Sequence, residues 1–150
     1  MKAVIQRVMT ASVNINDEQK AQIEKGLVVL LGVGKQDTAA DAELLARKIA
    51  ALRIFSDESD KMNLSVKDID GSLLVISNFT LYADTKKGTR PSFDPAMPPK
   101  EAKELYDCFC TALAKEEIPI FTGEFGADMQ VSLVNDGPVT VILDTGVWRK

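Results

Sequence analysis

Alternating polar and apolar residues near the start of the chain predict a pair of β-strands. Val13 and Ile15 alternate with polar neighbours, which is the period of a strand with one buried face. Asn16 and Asp17 are suited to a turn, so residues 20–23 are expected to return as a short partner strand.

Two continuous apolar runs predict strands of a different kind. The first is GLVVLLGV at 26–33, and the second is SLLVIS at 72–77, which follows the turn signal Asp70-Gly71. Runs of this length without polar interruption are typical of strands that are buried on both faces. Both segments are therefore expected in the centre of a sheet.

After the first apolar run the hydrophobic period becomes that of an α-helix. Leu45, Ile49 and Leu52 recur at intervals of four and three residues, so they share one face of a helix. Thr38 is placed to cap its start, and Asp41 three residues later is the acid of a capping box. The sequence therefore predicts an amphipathic helix that begins just after Thr38.

A second helix is predicted near the middle of the chain. Pro99 suits its first turn, and Pro119 ends the helical pattern. The apolar face is carried by Ala102, Leu105, Phe109 and Leu113. Because these residues are three or four positions apart, they form one stripe that is expected to pack on a sheet.

Three further strands are predicted after this helix, at 119–125, 129–134 and 139–143. The order is two strands, two strand-helix units and three strands, without a linker or repeat, so residues 1–150 form a single α/β domain. Two helices cannot cover both faces of a mixed sheet with this many strands. We therefore expect an α/β/β layered fold, in which part of the sheet packs on sheet or on another subunit.

The segment Asn135-Asp136-Gly137-Pro138 separates the last two predicted strands. Asn, Asp and Gly are typical of a hairpin turn, but Pro138 removes a backbone donor where the second strand should begin pairing. Turn chemistry alone does not explain why a proline directly follows the glycine.

Composition and charge exclude several classes of function. The chain has no histidine, which excludes Ser-His-Asp and Cys-His catalysis and every histidine-ligated zinc site. A net charge of −4 argues against a general nucleic-acid coat. No apolar run is long enough to span a membrane, and no signal peptide is evident. Cys108 and Cys110 are two residues apart, so on a helix they point in different directions and cannot pair, which favours reduced thiols and a cytoplasmic protein.

Two segments are candidates for chemistry, and each also has a simpler interpretation. In ISNFTLYAD, Ser77, Asn78 and Thr80 follow an apolar strand; the segment either just leaves the core or presents hydroxyls, an amide and backbone N–H groups to an oxyanion. The long loop 83–99 contains a basic cluster beside an aromatic residue. The cluster comprises Lys86, Lys87 and Arg90, next to Phe93. It is either a solvated loop or a patch that contacts RNA phosphates.

Three motifs together resemble one family, the D-aminoacyl-tRNA deacylases: SNFTLYAD at 77–84, KKGTRPSF at 86–93 and NDGPVTVILDT at 135–145. The resemblance covers essentially the whole chain. It implies the deacylase-like fold and hydrolysis of the ester that joins a D-amino acid, or glycine, to tRNA. It also implies a proofreading enzyme without a cofactor or metal that acts as a homodimer on the aminoacylated end of tRNA.

The resemblance also assigns roles to individual residues. The implied catalytic residues are Ser77, Phe79 and Thr80, and the implied substrate-binding residues are Arg7, Asn78, Asn135, Gly137 and Pro138. In the family the Gly-Pro peptide is cis and enters the partner subunit's active site, where it excludes L-amino acids. Lys86, Lys87 and Arg90 are the expected contacts to tRNA.

One position departs from the family pattern, and two rival functions stay open. The usual glutamine is Asn78 here, one methylene shorter, so its reach differs. One rival is the related deacylase that clears a mischarged L-amino acid and has a trans Gly-Pro peptide. The other is a non-catalytic RNA-binding protein with the same fold.

Overall fold

The computed structural model describes residues 1–149, and most of its strands join one mixed sheet. The strands are β1 (Lys2–Ile15), β2 (Glu18–Ile23), β3 (Gly26–Gly32), β4 (Phe55–Ser56), β5 (Met62–Leu64), β6 (Ser72–Ser77), β7 (Ile120–Thr122) and β8 (Gln130–Asp144). The helices are α1 (Ala39–Ala50), α2 (Pro99–Ala114), a short α3 (Thr145–Trp148) and a 3₁₀ turn (Phe79–Tyr82). The prediction of two helices therefore omitted α3, whose four residues are too few to show a hydrophobic period.

The order of strands in the six-stranded sheet is β2-β1-β3-β6-β7, and β8 also pairs with β1. Strand β1 is antiparallel to β2, β3 and β8, whereas β6 is parallel to both β3 and β7. Strands β4 and β5 form a separate small ribbon. This arrangement confirms the predicted mixed α/β domain.

Two hydrophobic cores lie on opposite faces of the central strands. Along β3, Leu27 and Leu31 belong to a core that the helices cover, while Val28 belongs to a second core. Both central strands are therefore buried on both faces, as their apolar runs predicted. The second core contains no residue of α1 or α2 and is built from strand residues, with Met129 beside them. Sheet packing on sheet confirms the α/β/β layering.

The first helix begins where the capping signal predicted. The backbone N–H and the hydroxyl of Thr38 both donate to Asp41 Oδ2 at 2.8 Å. Arg149 adds a third donor to the same oxygen at 2.9 Å. Burial raises the pKa of Asp41, but the hydrogen bonds from Arg149 and Thr38 outweigh it and hold the pKa below its ordinary value.

The last two predicted strands are one strand, so the hairpin interpretation of the segment between them is wrong. Residues 130–135 pair with the second half of β1, and residues 140–144 pair with its first half. The four residues 136–139 bulge out of this ladder between the two paired parts. The two halves are collinear because β1 is 14 residues long and offers one continuous edge to both. The strand predicted at 119–125 is also shorter, covering Ile120–Thr122.

No helix within residues 1–149 is long and apolar enough to cross a membrane. Cys108 and Cys110 are both free thiols, and burial raises the pKa of the Cys110 thiol to about 11.

Candidate active site

A cavity of about 1050 Å³ opens at the end of β6 and contains the first predicted motif. Ser77, Asn78, Phe79 and Thr80 all line it, at the point where the strand turns into the 3₁₀ helix. Its walls are largely apolar side chains of β3 and β8, of α2, and of the segment 125–129. The structure therefore brings together the four residues that the sequence placed at this strand end.

The 3₁₀ turn that carries Phe79 and Thr80 is anchored at both ends. At its start, the backbone N–H of Asn78 donates to Leu31 O of β3 at 2.7 Å. At its end, the hydroxyl of Tyr82 donates to Asp37 Oδ2 at 3.0 Å. Burial and the Asp37 carboxylate raise the pKa of Tyr82, so this hydroxyl stays protonated and keeps donating. The turn is thus a fixed platform at the mouth of the cavity.

Asn78 caps the turn with its own side chain. Its Oδ1 accepts the backbone N–H of Thr80 at 3.2 Å and the Thr80 hydroxyl at 2.5 Å. The backbone N–H of Phe79 makes no hydrogen bond within residues 1–149. Of the two neighbouring backbone N–H groups on this turn, the one on Phe79 is therefore available to an oxyanion, and the one on Thr80 is engaged.

Phe79 and Phe93 form an aromatic edge to the cavity. Their ring centroids are 5.0 Å apart with an interplanar angle of 74°, the edge-to-face geometry that aromatic pairs prefer. Phe79 remains 59% exposed although it is a large apolar residue. An exposed aromatic ring at the mouth of an apolar cavity is a surface on which another ring or chain can pack.

Within residues 1–149, no carboxylate or lysine side chain forms a hydrogen bond with Ser77, Asn78, Phe79 or Thr80. The hydroxyl of Tyr106, deep in the cavity, donates to Val75 O at 3.1 Å, and burial raises the pKa of Tyr106. Asp94 and Asp128 line the cavity as exposed residues, and their carboxylates accept no hydrogen bond from the turn. Within residues 1–149, no three His, Cys, Asp or Glu side chains are grouped so that they could hold a metal ion.

Sequence reasoning missed two parts of the cavity wall. Tyr106 was not recognised on the buried face of α2, and the ring of Phe125 packs on it at 5.6 Å between centroids. Residues 125–129 were assigned partly to strands, but they form a loop that lines the cavity. The sequence signal for this loop was the pair of glycines Gly123 and Gly126. In the structure Gly126 has a φ of +80°, which residues with a side chain adopt rarely.

The motif at 135–145 forms an exposed corner on β8, and the Arg7 side chain hydrogen-bonds to this corner. The Gly137–Pro138 peptide bond is cis, as the family resemblance implied, and both residues are exposed. Arg7 is buried; its Nε donates to Asp136 O at 3.0 Å, and its Nη1 donates to Ile54 O at 2.8 Å. One guanidinium therefore ties the corner to the segment that follows α1.

The corner does not line the cavity of its own chain. Neither Gly137 nor Pro138 is among the residues of the cavity wall, and Arg7 and Asn135 are also absent from it. Asn135 is exposed beside Gln6, whose Nε2 lies 3.5 Å from Asn135 Oδ1. Within one chain, the structure thus separates Asn135, Gly137 and Pro138 of β8 from the residues of the 3₁₀ turn.

The motif at 86–93 lies in an exposed loop next to the cavity. Lys86, Lys87 and Arg90 are all exposed, and none of them forms an ion pair within the described residues. The loop is closed at its base by Asp84 and Ser92, which exchange backbone hydrogen bonds of 2.8 and 2.9 Å. The chain enters the cavity wall directly after this base, so the cluster extends from the cavity's rim.

Comparisons with known proteins identify the family of the chain. Residues 4–144 match the model of the D-Tyr-tRNA(Tyr) deacylase family. The D-aminoacyl-tRNA deacylase of Thermosipho africanus is 56% identical over 145 residues, covering 97% of each chain. That of Chloroflexus aurantiacus is 56% identical over 149 residues, covering 99% of this chain and 93% of the relative.

Solved structures show the same fold. A protein described as c-Myc DNA unwinding element binding protein superposes with a TM-score of 0.90 at 45% identity, over 96% of this chain and 98% of the other. A probable eukaryotic D-amino acid tRNA deacylase has a TM-score of 0.81 at 14% identity, over 95% and 97% of the two chains, which supports the fold alone. By its match over almost the full length, the chain belongs to the D-Tyr-tRNA(Tyr) deacylase family.

Proposed function

We propose that this protein hydrolyses the ester bond of D-aminoacyl-tRNA, and also that of glycine mischarged on tRNA-Ala, as a cytoplasmic homodimer without a metal. The observation that carries this proposal is the anchored turn of Asn78, Phe79 and Thr80 at the mouth of a large apolar cavity. Such a turn offers an oxyanion donor in a site without a titratable base, which suits an activated ester.

The chemistry follows from what each group can donate or accept. The backbone N–H of Phe79 stabilises the negative charge that develops on the carbonyl oxygen of the ester. The 2′-hydroxyl of the terminal ribose helps to activate the attacking water, because the protein supplies no histidine. Thr80 positions the reactants and does not attack, since no base is placed to take its proton. Ser77 lies at the end of β6 and supports the same turn.

Selection of the D-enantiomer is assigned to the corner of the partner subunit. Gly137 and Pro138 are exposed, and they do not line the cavity of their own chain. That cavity therefore lacks the wall that would distinguish D- from L-amino acids. A second copy can bring its corner to that cavity, with Arg7 holding the corner rigid from behind. A rigid wall at the α-carbon admits the amino group of a D-amino acid and collides with an L side chain.

A single-turnover assay with D-, L- and glycyl-tRNA esters tests this function directly. We expect rapid hydrolysis of D-tyrosyl-tRNA, slower hydrolysis of glycyl-tRNA-Ala and survival of L-tyrosyl-tRNA, because only the L side chain meets the corner. Preferential loss of the L-ester would instead identify the related L-clearing deacylase. Binding of tRNA without hydrolysis of any of the three esters would identify a non-catalytic RNA-binding protein.

The basic loop is expected to contact tRNA phosphates. Replacing Lys86, Lys87 and Arg90 together with alanine removes three exposed positive charges beside the cavity. Binding of uncharged tRNA should weaken, and the slope of log affinity against log salt should fall by about 2–3 if each residue neutralises one phosphate. Fluorescence titrations at several salt concentrations measure that slope.

The matched control removes the same charge elsewhere. Lys20, Lys25 and Lys61 are exposed, form no ion pair within residues 1–149 and do not line the cavity. Their triple alanine variant should keep the salt slope of the wild type, since a net-charge effect alone is small at physiological salt. Equal slopes for both triple variants would show that the loop is a solvated surface without a role in tRNA binding.

A further inference from the structure

The hydrogen positions at the Asn78 cap follow from its partners. The backbone N–H of Thr80 can only donate, so the atom of the Asn78 amide that faces it is the oxygen. The same oxygen lies 2.5 Å from Thr80 Oγ1 and can only accept, so the hydroxyl proton of Thr80 points at Asn78. Both donors of Thr80 are therefore engaged by Asn78 and are not free to donate to another group in the cavity.

The Thr80 Oγ1 still has lone pairs that can accept a hydrogen bond from a group in the cavity. Thr80 is an exposed residue of the cavity wall, and its oxygen makes no other hydrogen bond within residues 1–149. The neighbouring Phe79 N–H is an open donor on the same turn. A donor and an acceptor are thus presented side by side, which suits a carbonyl oxygen at the donor and a water molecule at the acceptor.

We propose that Asn78 is a positioning residue that acts through Thr80: its Oδ1 takes both Thr80 donors, so that Thr80 Oγ1 accepts a hydrogen bond from the attacking water. This inference rests on the proposed deacylase function and adds to it the group that orients the nucleophile. Asn78 itself touches no reacting atom.

The reaction balances without a protein group changing its protonation state. The water oxygen bonds to the acyl carbon, and the bond between that carbon and the ribose oxygen breaks. One water proton goes to the ribose oxygen, by way of the neighbouring ribose hydroxyl, and the products are the amino acid and the terminal hydroxyl of tRNA. Thr80 holds the second water hydrogen and aims the oxygen at the carbon.

The same contact explains why Thr80 is not the nucleophile. A nucleophilic hydroxyl must pass its proton to a base, and the partner here is an amide oxygen, which is an acceptor but not a base near neutral pH. The short side chain of asparagine suits it for this cap, because the oxygen of Asx residues reaches the backbone N–H two positions ahead.

The test is a double-mutant cycle measured by single-turnover hydrolysis of D-tyrosyl-tRNA at saturating enzyme. Asn78→Ala removes the acceptor, and Thr80→Val removes the hydroxyl at nearly constant shape. Each single variant should lower the rate on the order of 10- to 100-fold, with little change in the concentration dependence, because orientation is lost but binding is not. The double variant should be no slower than Thr80→Val alone, since Asn78 acts only through that hydroxyl.

Two conservative variants separate positioning from folding. Thr80→Ser keeps the hydroxyl and should recover most of the rate that Thr80→Val loses. Asn78→Asp keeps an acceptor oxygen of the same reach and should be faster than Asn78→Ala, although its negative charge opposes the oxyanion. They also keep the inference testable if Asn78→Ala unfolds, which a thermal melt of each variant reports.

Distinct results would overturn the inference or the function. Multiplying losses in the double variant, or an Asn78→Asp variant as slow as Asn78→Ala, would show that Asn78 does not act by accepting the Thr80 donors. A Thr80→Val variant with the wild-type rate would remove Thr80 from the reaction. A wild-type protein that leaves D-tyrosyl-tRNA intact would refute the proposed function itself.

Discussion

Replacing Gly137 by alanine is expected to slow single-turnover hydrolysis of D-tyrosyl-tRNA on the order of 100-fold or more, through loss of geometry at the corner. Gly137 has a φ of +128°, a region that residues with a side chain adopt at a cost of about 1–3 kcal/mol. An added Cβ would also lie 2.9 Å from Val139 Cγ2 and 3.2 Å from Arg7 Nη2. It would therefore press on the guanidinium that holds the corner.

A second glycine provides the matched control for backbone strain. Gly88 has a φ of +74° and nothing within 4 Å of an added Cβ, so Gly88→Ala adds strain without a steric contact. That variant should lose some thermal stability and keep hydrolysis within a few-fold of the wild type. An unchanged rate for Gly137→Ala, in a variant whose melting temperature has fallen like that of Gly88→Ala, would refute a role for the corner in the reaction.

Strand β8 was predicted only in part from the local sequence pattern. Residues 129–134 and 139–143 each alternate as strands, and both were assigned correctly as extended. The turn-forming residues between them predicted a reversal, but the edge of β1 accepts both halves in line and makes the segment a bulge. Strand length in β1 is set by tertiary pairing, and no residue within 135–138 carries that information.

The site was predictable to a similar extent. The motif at 77–80 identified the strand end that opens into the cavity, because its polar residues follow a buried strand. Tyr106 and residues 125–129 were not identified, since a buried face and a loop become a cavity wall only when α2 packs over the sheet. The hydrogen bonds of Asn78 were also beyond the sequence, because they depend on the turn's backbone angles.

The separation of corner and cavity within one chain argues for a shared active site. Ser77 to Thr80 line the cavity, while Gly137 and Pro138 are exposed on the bulge of β8 and line none of it. Strand β8 also carries large apolar side chains that face solvent, with Val134 53% exposed and Ile142 71% exposed. Exposed apolar residues on a sheet edge are suited to contact with a second copy. Two identical copies would then bury equivalent surfaces and complete two equivalent sites.

Mixing two strongly impaired variants should restore activity if each site combines the cavity of one subunit with the corner of the other. Thr80→Val damages a cavity, and Gly137→Ala damages a corner. In a mixed dimer one site then receives both lesions, and the other receives neither. After co-refolding at equal amounts, half of the dimers are mixed and each has one intact site, so the rate should recover to about a quarter of the wild type.

The recovery must depend on exchange of subunits. Mixing the two folded variants without refolding should show recovery only as fast as dimers dissociate, and dilution below the dissociation constant should abolish activity of the wild type. As a further control, two variants that damage the same element, Thr80→Val and Asn78→Ala, should not complement, because every cavity then carries a lesion. If the cavity and the corner of one chain served the same site, no mixture of Thr80→Val and Gly137→Ala would recover, and the shared active site would be refuted.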